Sequence, residues 1–416
     1  MRRVLALSLA LTLGPCGPVL AQADETRRVT GSVGYMQRIA LPPKAEAIVV
    51  AEGRFGAMLG DVTLDPDGQQ VPLPFEMTVP AGLSGAVSAV IRVHGRARWV
   101  LEGRDFPAGR DPVDLGELTL EPVTPLAFAT DYVCGDVPVS VGVLDNRLVL
   151  QVEGREIALE QVRAASGARY EAPGETDTFV WNKGDALTIR VDGRDFPECR
   201  KVPPADKAPY RAQGNEPGWH VTLDAETATV VADYGEITRE APRPAVQVVP
   251  GAYEFDMPAI DATLRIEEQL CHDDATGMPY PDTARLDLDD RSLRGCGGDP
   301  ADLLTADLWR ITALGDADLV DPERLSLNFL EPDRVAGSSG CNRIVGSFNL
   351  TGEGLHFGTM GSTMMACEEP LMEQERRMLD ALEQVTRFDI TRDDTLVLIG
   401  GPDNSVLLEA RPASRM

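Results

Sequence analysis

The chain has 416 residues and a formal net charge of −27, with 66 acidic against 39 basic side chains. This length predicts two to four domains rather than one small core. An acidic surface repels nucleic acid and anionic lipid, so neither is a predicted partner. Two interpretations of the charge stay open: it keeps an exported protein soluble, or it attracts a basic protein partner.

The N-terminus has the pattern of a secretory signal peptide over residues 1–23. Arg2 and Arg3 precede an apolar run at residues 4–13, and a small-residue Ala-Gln-Ala pattern lies at 21–23. The run is too short to cross a hydrocarbon core of about 30 Å as a helix, and no later segment comes closer. We therefore predict an exported periplasmic protein without a transmembrane segment, whose net charge becomes −29 when Arg2 and Arg3 leave.

Two alternatives concern the export route. The Arg2-Arg3 pair also fits a twin-arginine signal, but its surroundings add no support. Cys16 raises the possibility of an outer-membrane lipoprotein, because Leu13 and Cys16 match a lipid-attachment box. Pro15 directly before the cysteine argues against processing there, so a lipid anchor is the less favoured prediction.

Six cysteines remain after the signal peptide, an even number in a protein sent to an oxidising compartment. They fall in sequence as three separated couples, each around a β-rich stretch. The predicted disulfides are Cys134–Cys199, Cys271–Cys296 and Cys341–Cys367. Because no Cys-x-x-Cys occurs and the four histidines are scattered, no metal site, thiol-redox site or cofactor is predicted.

Short alternating runs rich in β-branched residues dominate the chain and are separated by turn residues. The clearest runs lie at 47–51, 87–93, 147–152, 187–191 and 395–399. The predicted fold class is mainly β, with several small β-sandwich or β-barrel domains in tandem. The C-terminal domain carries a single predicted helix at 371–385, where Pro370 fits the first turn and Leu371, Met378, Leu382 and Val385 share a face.

Proline-rich or charged breaks divide the chain into four units after the signal peptide. The breaks lie near 107–126, 199–209 and 297–304. The predicted units are 27–107, 128–200, 208–299 and 302–411.

The second unit carries two polar turn strings between a pair of cysteines. A Ser-Gly-Ala-Arg-Tyr string lies at 166–170 and a Trp-Asn-Lys-Gly string at 181–184, with Cys134 and Cys199 on either side. On this combination, residues 128–200 resemble the family of membrane-bound inhibitors of C-type lysozyme (MliC). The resemblance implies a small β-barrel whose two loops enter the active-site cleft of a C-type lysozyme.

The family's inhibitory serine and lysine correspond here to Ser166 and Lys183, with Gly167 and Tyr170 as further predicted lysozyme-binding residues. The chain departs from the family pattern at 183–187, which is one residue shorter than usual after the lysine. An ammonium group placed between the two catalytic carboxyl groups of lysozyme favours the ionised form of both, so the general acid loses its proton. The alternative is that Ser166 only forms a turn and Lys183 is a solvated surface charge.

The same two residues allow a catalytic interpretation, a Ser-Lys dyad. A nucleophile of this kind needs an oxyanion hole, and neither Gly167 nor Gly184 is predicted in a strand-to-helix elbow. The Gly-Ser-Ser-Gly-Cys string at 337–341 also lacks the second glycine of a nucleophile elbow. We therefore predict that the protein is not an enzyme and has no catalytic residues.

The fourth unit resembles the META domain family, which is associated with heat-inducible and secreted bacterial proteins. The matching features are Trp309, the Gly-Ser-Ser-Gly-Cys-Asn string at 337–342, the Thr-Met-Met-Ala-Cys string at 363–367 and the helix that follows. This resemblance implies no particular activity. Five methionines in the unit could form a copper(I) site from soft thioethers, but the favoured prediction is that they fill the core; they are Met360, Met364, Met365, Met372 and Met378.

The first unit resembles the YbaY/YscW-like family of type III secretion lipoprotein chaperones, on its segments 29–35, 39–45 and 72–75. That resemblance implies a small β-sandwich that binds another envelope protein. The third unit, with its Gly-Asn-Glu-Pro-Gly-Trp string at 214–219, is similar to an uncharacterised envelope β domain. Its acidic turn at 272–274 could bind a cation. The favoured prediction is that the turn is solvated.

Together these features predict a non-enzymatic periplasmic protein that binds and inhibits a C-type lysozyme through Ser166 and Lys183. The alternative is a structural or chaperone-like envelope stress protein whose inhibitor unit is vestigial. The acidic surface and the two loop strings favour the first interpretation. The resemblances of the first and fourth units favour the second.

Overall fold

The computed structural model describes residues 26–144, 147–183, 186–201, 209–352 and 354–415. The predicted signal peptide and Cys16 lie outside these residues. Antiparallel β-strands make up most of the described chain and only two α-helices occur in it, which confirms the predicted mainly-β fold class. Neither of these helices has the length and apolar character that a membrane span requires.

The first unit consists of two sheets that face one another across a hydrophobic core. One sheet has the order β4-β1-β7 and the other β3-β2-β5-β6-β8. The strands are β1 Thr26–Gly34, β2 Ala45–Glu52, β3 Met58–Leu64, β4 Leu73–Pro80, β5 Gly85–Val93, β6 Arg96–Phe106, β7 Val113–Thr119 and β8 Glu121–Pro122. Strict alternation of buried and exposed residues along β2 and β4 places one face of each strand in the core.

The predicted break at 107–126 contains part of this unit. Strand β7 pairs in parallel with β1, and Leu118 and Leu120 are buried in the core. The exposed charged side chains of Asp114 and Glu117 lie between apolar positions of this edge strand. A strand with such an acidic outer face is easily taken for a charged linker when only its sequence is considered. The first unit therefore extends to Pro122.

The second unit is a closed antiparallel barrel. Its strands are β9 Thr130–Cys134, β10 Val137–Leu144, β11 Arg147–Val152, β12 Arg155–Val162, β13 Ala168–Glu171, β14 Phe179–Lys183, β15 Ala186–Val191, β16 Arg194–Asp195 and β17 Cys199–Lys201. Eight of them, all except β16, form a continuous ring that closes where β17 pairs with both β9 and β15. Cys134 and Cys199 are directly paired across β9 and β17 and form a disulfide, so this bond lies at the seam of the barrel.

The third unit is one nine-stranded antiparallel sheet with the order β21-β20-β19-β18-β28-β27-β24-β23-β22, plus a small hairpin. The strands of the sheet are β18 Tyr210–Asn215, β19 Gly218–Leu223, β20 Thr227–Ala232, β21 Ile237–Pro242, β22 Gln247–Val249, β23 Ala252–Met257, β24 Ala262–Glu267, β27 Asp282–Leu288 and β28 Arg291–Gly297. The hairpin consists of β25 Cys271–His272 and β26 Pro279–Tyr280. The Cys271–Cys296 disulfide ties it to the sheet.

The fourth unit begins with the short helix α1 Pro300–Thr305, followed by a second large antiparallel sheet. Its strands are β29 Leu308–Leu314, β30 Leu325–Leu330, β31 Arg334–Ser339, β32 Arg343–Thr351, β33 Gly354–Phe357, β34 Gly361–Ser362, β35 Val385–Ile390, β36 Leu396–Gly400 and β37 Ser405–Pro412. Helix α2 spans Glu369–Glu383 and buries Gln374, Met378 and Leu382. The observed helix thus begins two residues before the predicted range of 371–385. It ends before Val385, which starts β35.

The four units do not have four separate cores. Buried side chains of the first and third units form one hydrophobic cluster, whereas Met278, Tyr280 and Cys296 of the third unit belong to the cluster of the fourth. Among the residues that the structure describes, the buried cluster of the second unit draws only on the range 134–199. The barrel is therefore the unit with a core of its own.

The contact between the first and third units centres on the turn that contains Arg54 and Phe55. The Phe55 ring makes edge-to-face contacts with Tyr210, Tyr253 and Phe255, at centroid distances of 5.2, 5.4 and 5.1 Å. Such arrangements are the favourable geometry for aromatic pairs. An aromatic side chain of the first unit thus packs among three aromatic side chains of the third.

Candidate functional site

Two connections at one end of the barrel carry the predicted lysozyme-binding residues Ser166, Gly167 and Lys183. Residues 163–167 join β12 to β13, and β14 and β15 form a hairpin whose turn, Gly184 and Asp185, lies outside the described residues. The register pairs Ala168 with Asn182 and Lys183 with Ala186, so the two connections are neighbours. Ser166, Gly167 and Lys183 are all exposed there.

Close backbone contact fixes the first loop against β14. Gly167 adopts a left-handed conformation with φ of 68°, and a Cβ atom built at this position would lie only 2.1 Å from the carbonyl oxygen of Asn182. Glycine is the residue that accepts both this conformation and this approach without steric cost. Gly167 therefore has a structural role in bringing Ser166 beside Lys183.

Trp181 links the two loops. Its indole Nε1 donates a hydrogen bond of 2.9 Å to the carbonyl oxygen of Ser166, and the Lys183 Nζ lies 3.4 Å from the centre of its ring. The second contact is a cation–π interaction, which attracts an ammonium to the ring face. One indole thus orients the backbone at the serine and restricts the lysine.

The basic side chains continue down the outer face of the barrel. The guanidinium of Arg169 lies 3.9 Å from the Phe179 ring centre and 5.6 Å from that of Trp181, and it pairs with Glu171 at 2.7 Å. Register explains the stack, because Arg169 is directly opposite Trp181. The loops are therefore supported by an ordered cation–aromatic surface rather than by isolated exposed side chains.

Tyr170 is the predicted site residue that the structure does not place at the surface. It is 8% exposed and belongs to the barrel core. Adjacent residues of a strand point to opposite faces, so Tyr170 and its partner Val180 face inward while Arg169 and Trp181 face outward. Tyr170 was predicted to contact lysozyme, but in the structure its side chain packs in the barrel core instead.

Trp181 was not among the site residues predicted from sequence, although it stands in the second string. The available signal was its position two residues before Lys183, which places both side chains on the same face of a strand. The shortened segment noted at 183–187 includes Gly184 and Asp185, which lie outside the described residues.

The acidic turn of the third unit was expected to be solvated, and for Asp273 this is wrong. Asp273 is buried, and its carboxylate accepts hydrogen bonds from Asn215 Nδ2, from the backbone N–H groups of Ala275 and Thr276, and from the Thr276 hydroxyl. Burial opposes ionisation, but these hydrogen bonds outweigh it and lower the pKa of Asp273. The carboxylate organises the turn. No group of three or more potential metal ligands of the His, Cys, Asp and Glu types occurs in the described ranges.

The expectation that the methionines of the fourth unit fill its core is also wrong for three of the five. Met378 is buried and Met360 is partly buried. Met364, Met365 and Met372 are exposed, by 99%, 56% and 46% respectively. Met364 and Met365 lie on the segment between β34 and α2, whose backbone is held away from the core.

Three family models match separate segments of the chain, in the order that the sequence predicts. They are the type III secretion system lipoprotein chaperone (YscW) at residues 24–104, the membrane-bound lysozyme-inhibitor of c-type lysozyme (MliC) at 132–196, and the META domain at 302–413. No curated protein matches the chain. Fold and matches together define a multidomain β protein with a chaperone-like, an inhibitor-like and a META unit, the features of a cell-envelope protein.

Two solved structures are similar to parts of the chain. An alternative pilotin from the type II secretion system of Vibrio cholerae is 25% identical and covers 24% of this chain and 98% of its own, with a TM-score of 0.21. A protein from Burkholderia xenovorans, solved by NMR, is 27% identical and covers 28% of this chain and 90% of its own, with a TM-score of 0.24.

Proposed function

We propose that the barrel binds a C-type lysozyme outside the cytoplasm and inhibits it by placing Lys183 and Ser166 in the active-site cleft. The observation that carries this proposal is the arrangement around Trp181, which holds both residues at one exposed end of the barrel. The match of residues 132–196 to the lysozyme-inhibitor family supports it. In the proposed mechanism the loops block the lysozyme cleft and the lysine charge acts on its catalytic carboxyl groups, without any catalysis by this protein.

The chemistry follows from the acid–base requirements of the target. Lysozyme needs one carboxylic acid kept protonated by an apolar pocket beside a second, ionised carboxylate. The Lys183 ammonium lowers the proton affinity of both, so the general acid is deprotonated and cannot protonate the leaving group. The Ser166 hydroxyl donates a hydrogen bond to a carboxylate and keeps the loop in register.

The charge distribution suits such a target. Residues 128–200 carry thirteen acidic and eight basic side chains, so the barrel as a whole attracts a basic protein. The exposed end of the barrel instead presents Lys183, whose ammonium suits an acidic cleft. Added salt should therefore slow association by screening the long-range attraction, while the Lys183 contact should govern mainly dissociation.

Replacement of the lysine should weaken binding strongly. Lys183→Ala should cost about 2–4 kcal/mol, about 30- to 1000-fold in Kd, since it leaves the lysozyme carboxyl groups desolvated without a counter-charge. Isothermal titration of a C-type lysozyme into the full mature chain measures this. Lys201→Ala, which removes an exposed lysine of β17 that belongs to neither loop, is the matched control and should bind like the parent. Equal affinity of the Lys183→Ala variant and the parent would show the plug mechanism to be wrong.

The serine should matter less than the lysine. Ser166→Ala should cost about 1–2 kcal/mol, about 5- to 30-fold in Kd, because a neutral hydroxyl leaves a smaller desolvation penalty than a charge. The Trp181–Ser166 hydrogen bond uses the backbone carbonyl and survives the change, so the loop should keep its shape. A loss larger than that of Lys183→Ala in the same titration would contradict the assigned roles.

A chaperone-like role is the second candidate, favoured by the family match at residues 24–104. It would belong to the first unit and is compatible with inhibition by the barrel. Part of the first unit is already engaged within the chain, because the partly buried Phe55 packs against aromatic residues of the third unit. A partner would therefore bind elsewhere, for example at the edge strand β7.

A further inference from the structure

The two characteristic strings of the fourth unit meet at a surface that the proposed function does not use. Residues 363–367 run along the outside of the unit between β34 and α2, and the Cys341–Cys367 disulfide joins them to the turn between β31 and β32. Met364 is 99% exposed and Met365 is 56% exposed. Met372, at the start of α2, is exposed as well. We call these three exposed side chains, which fall within nine consecutive residues of the chain, the methionine face.

The segment that carries Met364 and Met365 is held firmly by Asn342, which is buried. The Asn342 Oδ1 accepts hydrogen bonds from the Thr363 hydroxyl at 2.7 Å and from the Met365 backbone N–H at 2.8 Å. Its Nδ2 donates to the Met365 carbonyl oxygen at 3.4 Å and to Glu375 at 3.3 Å. The backbone N–H and carbonyl of Met365 are therefore both hydrogen-bonded to this one side chain.

A second set of buried contacts orients Asn342 itself. Its backbone N–H donates to the Ser339 hydroxyl at 3.0 Å, and that hydroxyl donates to Glu375 of α2 at 2.5 Å. Gln374, also buried, bonds to the backbone of Val320 in both directions. Satisfied networks of this kind specify one conformation. The polar residues of both strings thus fix a loop whose exposed apolar side chains are methionines.

Apolar side chains gain free energy by leaving water, so a partner that covers these methionines would gain binding free energy from their burial. Methionine adapts its shape to a partner and is frequent at surfaces that accept varied apolar ligands. A copper(I) site requires several thioethers to converge on one point. The almost complete exposure of Met364 favours contact with a separate molecule instead.

The charges around the methionine face indicate the character of that molecule. Glu368 and Glu369 are exposed directly beside it, and Glu373 follows one turn into α2, where it pairs with Arg376. Arg343 is a nearby exposed cation. Residues 302–413 nevertheless carry twenty acidic against nine basic side chains. The exposed Glu368 and Glu369, together with this acidic excess of the whole unit, favour a cationic ligand.

We propose that the methionine face docks a cationic amphipathic segment of another protein. Apolar side chains of that segment cover Met364, Met365 and Met372, and its basic side chains meet the surrounding glutamates. The fixed loop lowers the entropic cost of binding because the apolar contacts are already positioned. This site is separate from the barrel and independent of lysozyme binding.

The test uses the full mature chain and two synthetic amphipathic helical peptides that share a leucine face and carry either lysine or glutamate on the polar face. Isothermal titration should detect binding of the lysine peptide and none of the glutamate peptide. The double variant Met364→Ser/Met365→Ser should lose at least about tenfold in affinity for the lysine peptide. Met36→Ser/Met58→Ser removes two exposed methionines of the first unit and should bind like the parent.

A further variant tests the ordered loop. Asn342→Ala keeps all three methionines but removes the side-chain bonds to the loop, and should also weaken the lysine peptide, with circular dichroism showing the fold retained. Undiminished binding by the Met364→Ser/Met365→Ser variant, or equal binding of the glutamate peptide, would overturn the proposal. Stoichiometric copper(I) binding that this variant loses, without any loss of peptide affinity, would overturn it in favour of a metal site.

Discussion

Arg54→Ala should destabilise the joint core of the first and third units by about 3–5 kcal/mol, the scale for removing one partner of a buried ion pair. Arg54 Nη1 lies 2.5 Å from Asp282 Oδ1, and the Asp282 side chain is 1% exposed. The Tyr210 hydroxyl donates to the other carboxylate oxygen at 2.9 Å. Without the guanidinium, Asp282 would be a buried carboxylate with a single hydrogen-bond donor left among these contacts. Urea unfolding followed by circular dichroism measures the change.

The pH dependence of that loss identifies its cause. Burial raises the pKa of Asp282, and Arg54 opposes this effect. Loss of Arg54 should raise the pKa further, so the carboxyl group becomes neutral in the folded variant at a higher pH. For an acid with a raised pKa, stability is lost as pH rises through the folded-state value. Because the unfolded state is the same for both proteins, the deficit of Arg54→Ala should shrink as pH falls from the folded-state pKa of Asp282 in the variant toward its folded-state pKa in the parent.

Arg28→Ala is the matched control for Arg54→Ala. Arg28 approaches Glu76 of the same unit at 3.9 Å, and both side chains are more than half exposed. Exposed pairs contribute little to stability. A deficit for Arg54→Ala no larger than that of Arg28→Ala, or one that does not change with pH, would contradict the assigned role of the Arg54–Asp282 pair.

Loss of the Cys134–Cys199 disulfide should unfold the barrel while the other units stay folded. The bond joins cysteines 65 residues apart, and cross-linking a loop of that size stabilises by about 4 kcal/mol in the chain-entropy account. The barrel contains a small core of its own and gains no buried contacts from the shared clusters. In Cys134→Ala/Cys199→Ala, limited proteolysis should cut within residues 128–200 and lysozyme binding should disappear.

The matched control is Cys341→Ala/Cys367→Ala, which opens a disulfide of the fourth unit between cysteines 26 residues apart. That variant should keep lysozyme binding, because the bond belongs to a different core. Peptide mapping of the non-reduced protein should find all three bonds within their own units. Retained lysozyme binding by the Cys134→Ala/Cys199→Ala protein would argue against the barrel as the site.

The strands and the two loop strings of the barrel could be predicted because their determinants are local, whereas the closed barrel itself was implied by the resemblance of residues 128–200 to the lysozyme-inhibitor family. Alternating runs such as 147–152 specify strands whose inward residues form the core. The glycine at 167 and the lysine at 183 lie within short strings, and hairpin register brings those strings together. The same alternation could have excluded Tyr170 from the exposed site, since it follows the outward-facing Arg169.

Other features depend on contacts between distant segments, which no local pattern encodes. Phe55 precedes Tyr253 by almost two hundred positions, so the sequence around Phe55 does not predict its contact with the third unit. In the sequence Asp273 cannot be distinguished from a solvated acidic turn residue, because its hydrogen bond from Asn215 joins segments far apart in the chain. Met364 is exposed next to Met365, whose backbone bonds to the buried Asn342 of a distant string, whereas composition alone favours methionine in a core.

The most direct test of the central claim is the clearing of bacterial cell walls by a C-type lysozyme, followed by turbidity, with and without the purified mature chain. The account predicts that clearing stops at a stoichiometric amount of the parent protein and that Lys183→Ala, folded by circular dichroism, restores most of it. If the parent protein leaves clearing unchanged at concentrations well above that of lysozyme, the inhibitor function is contradicted and the chaperone-like role becomes the leading account.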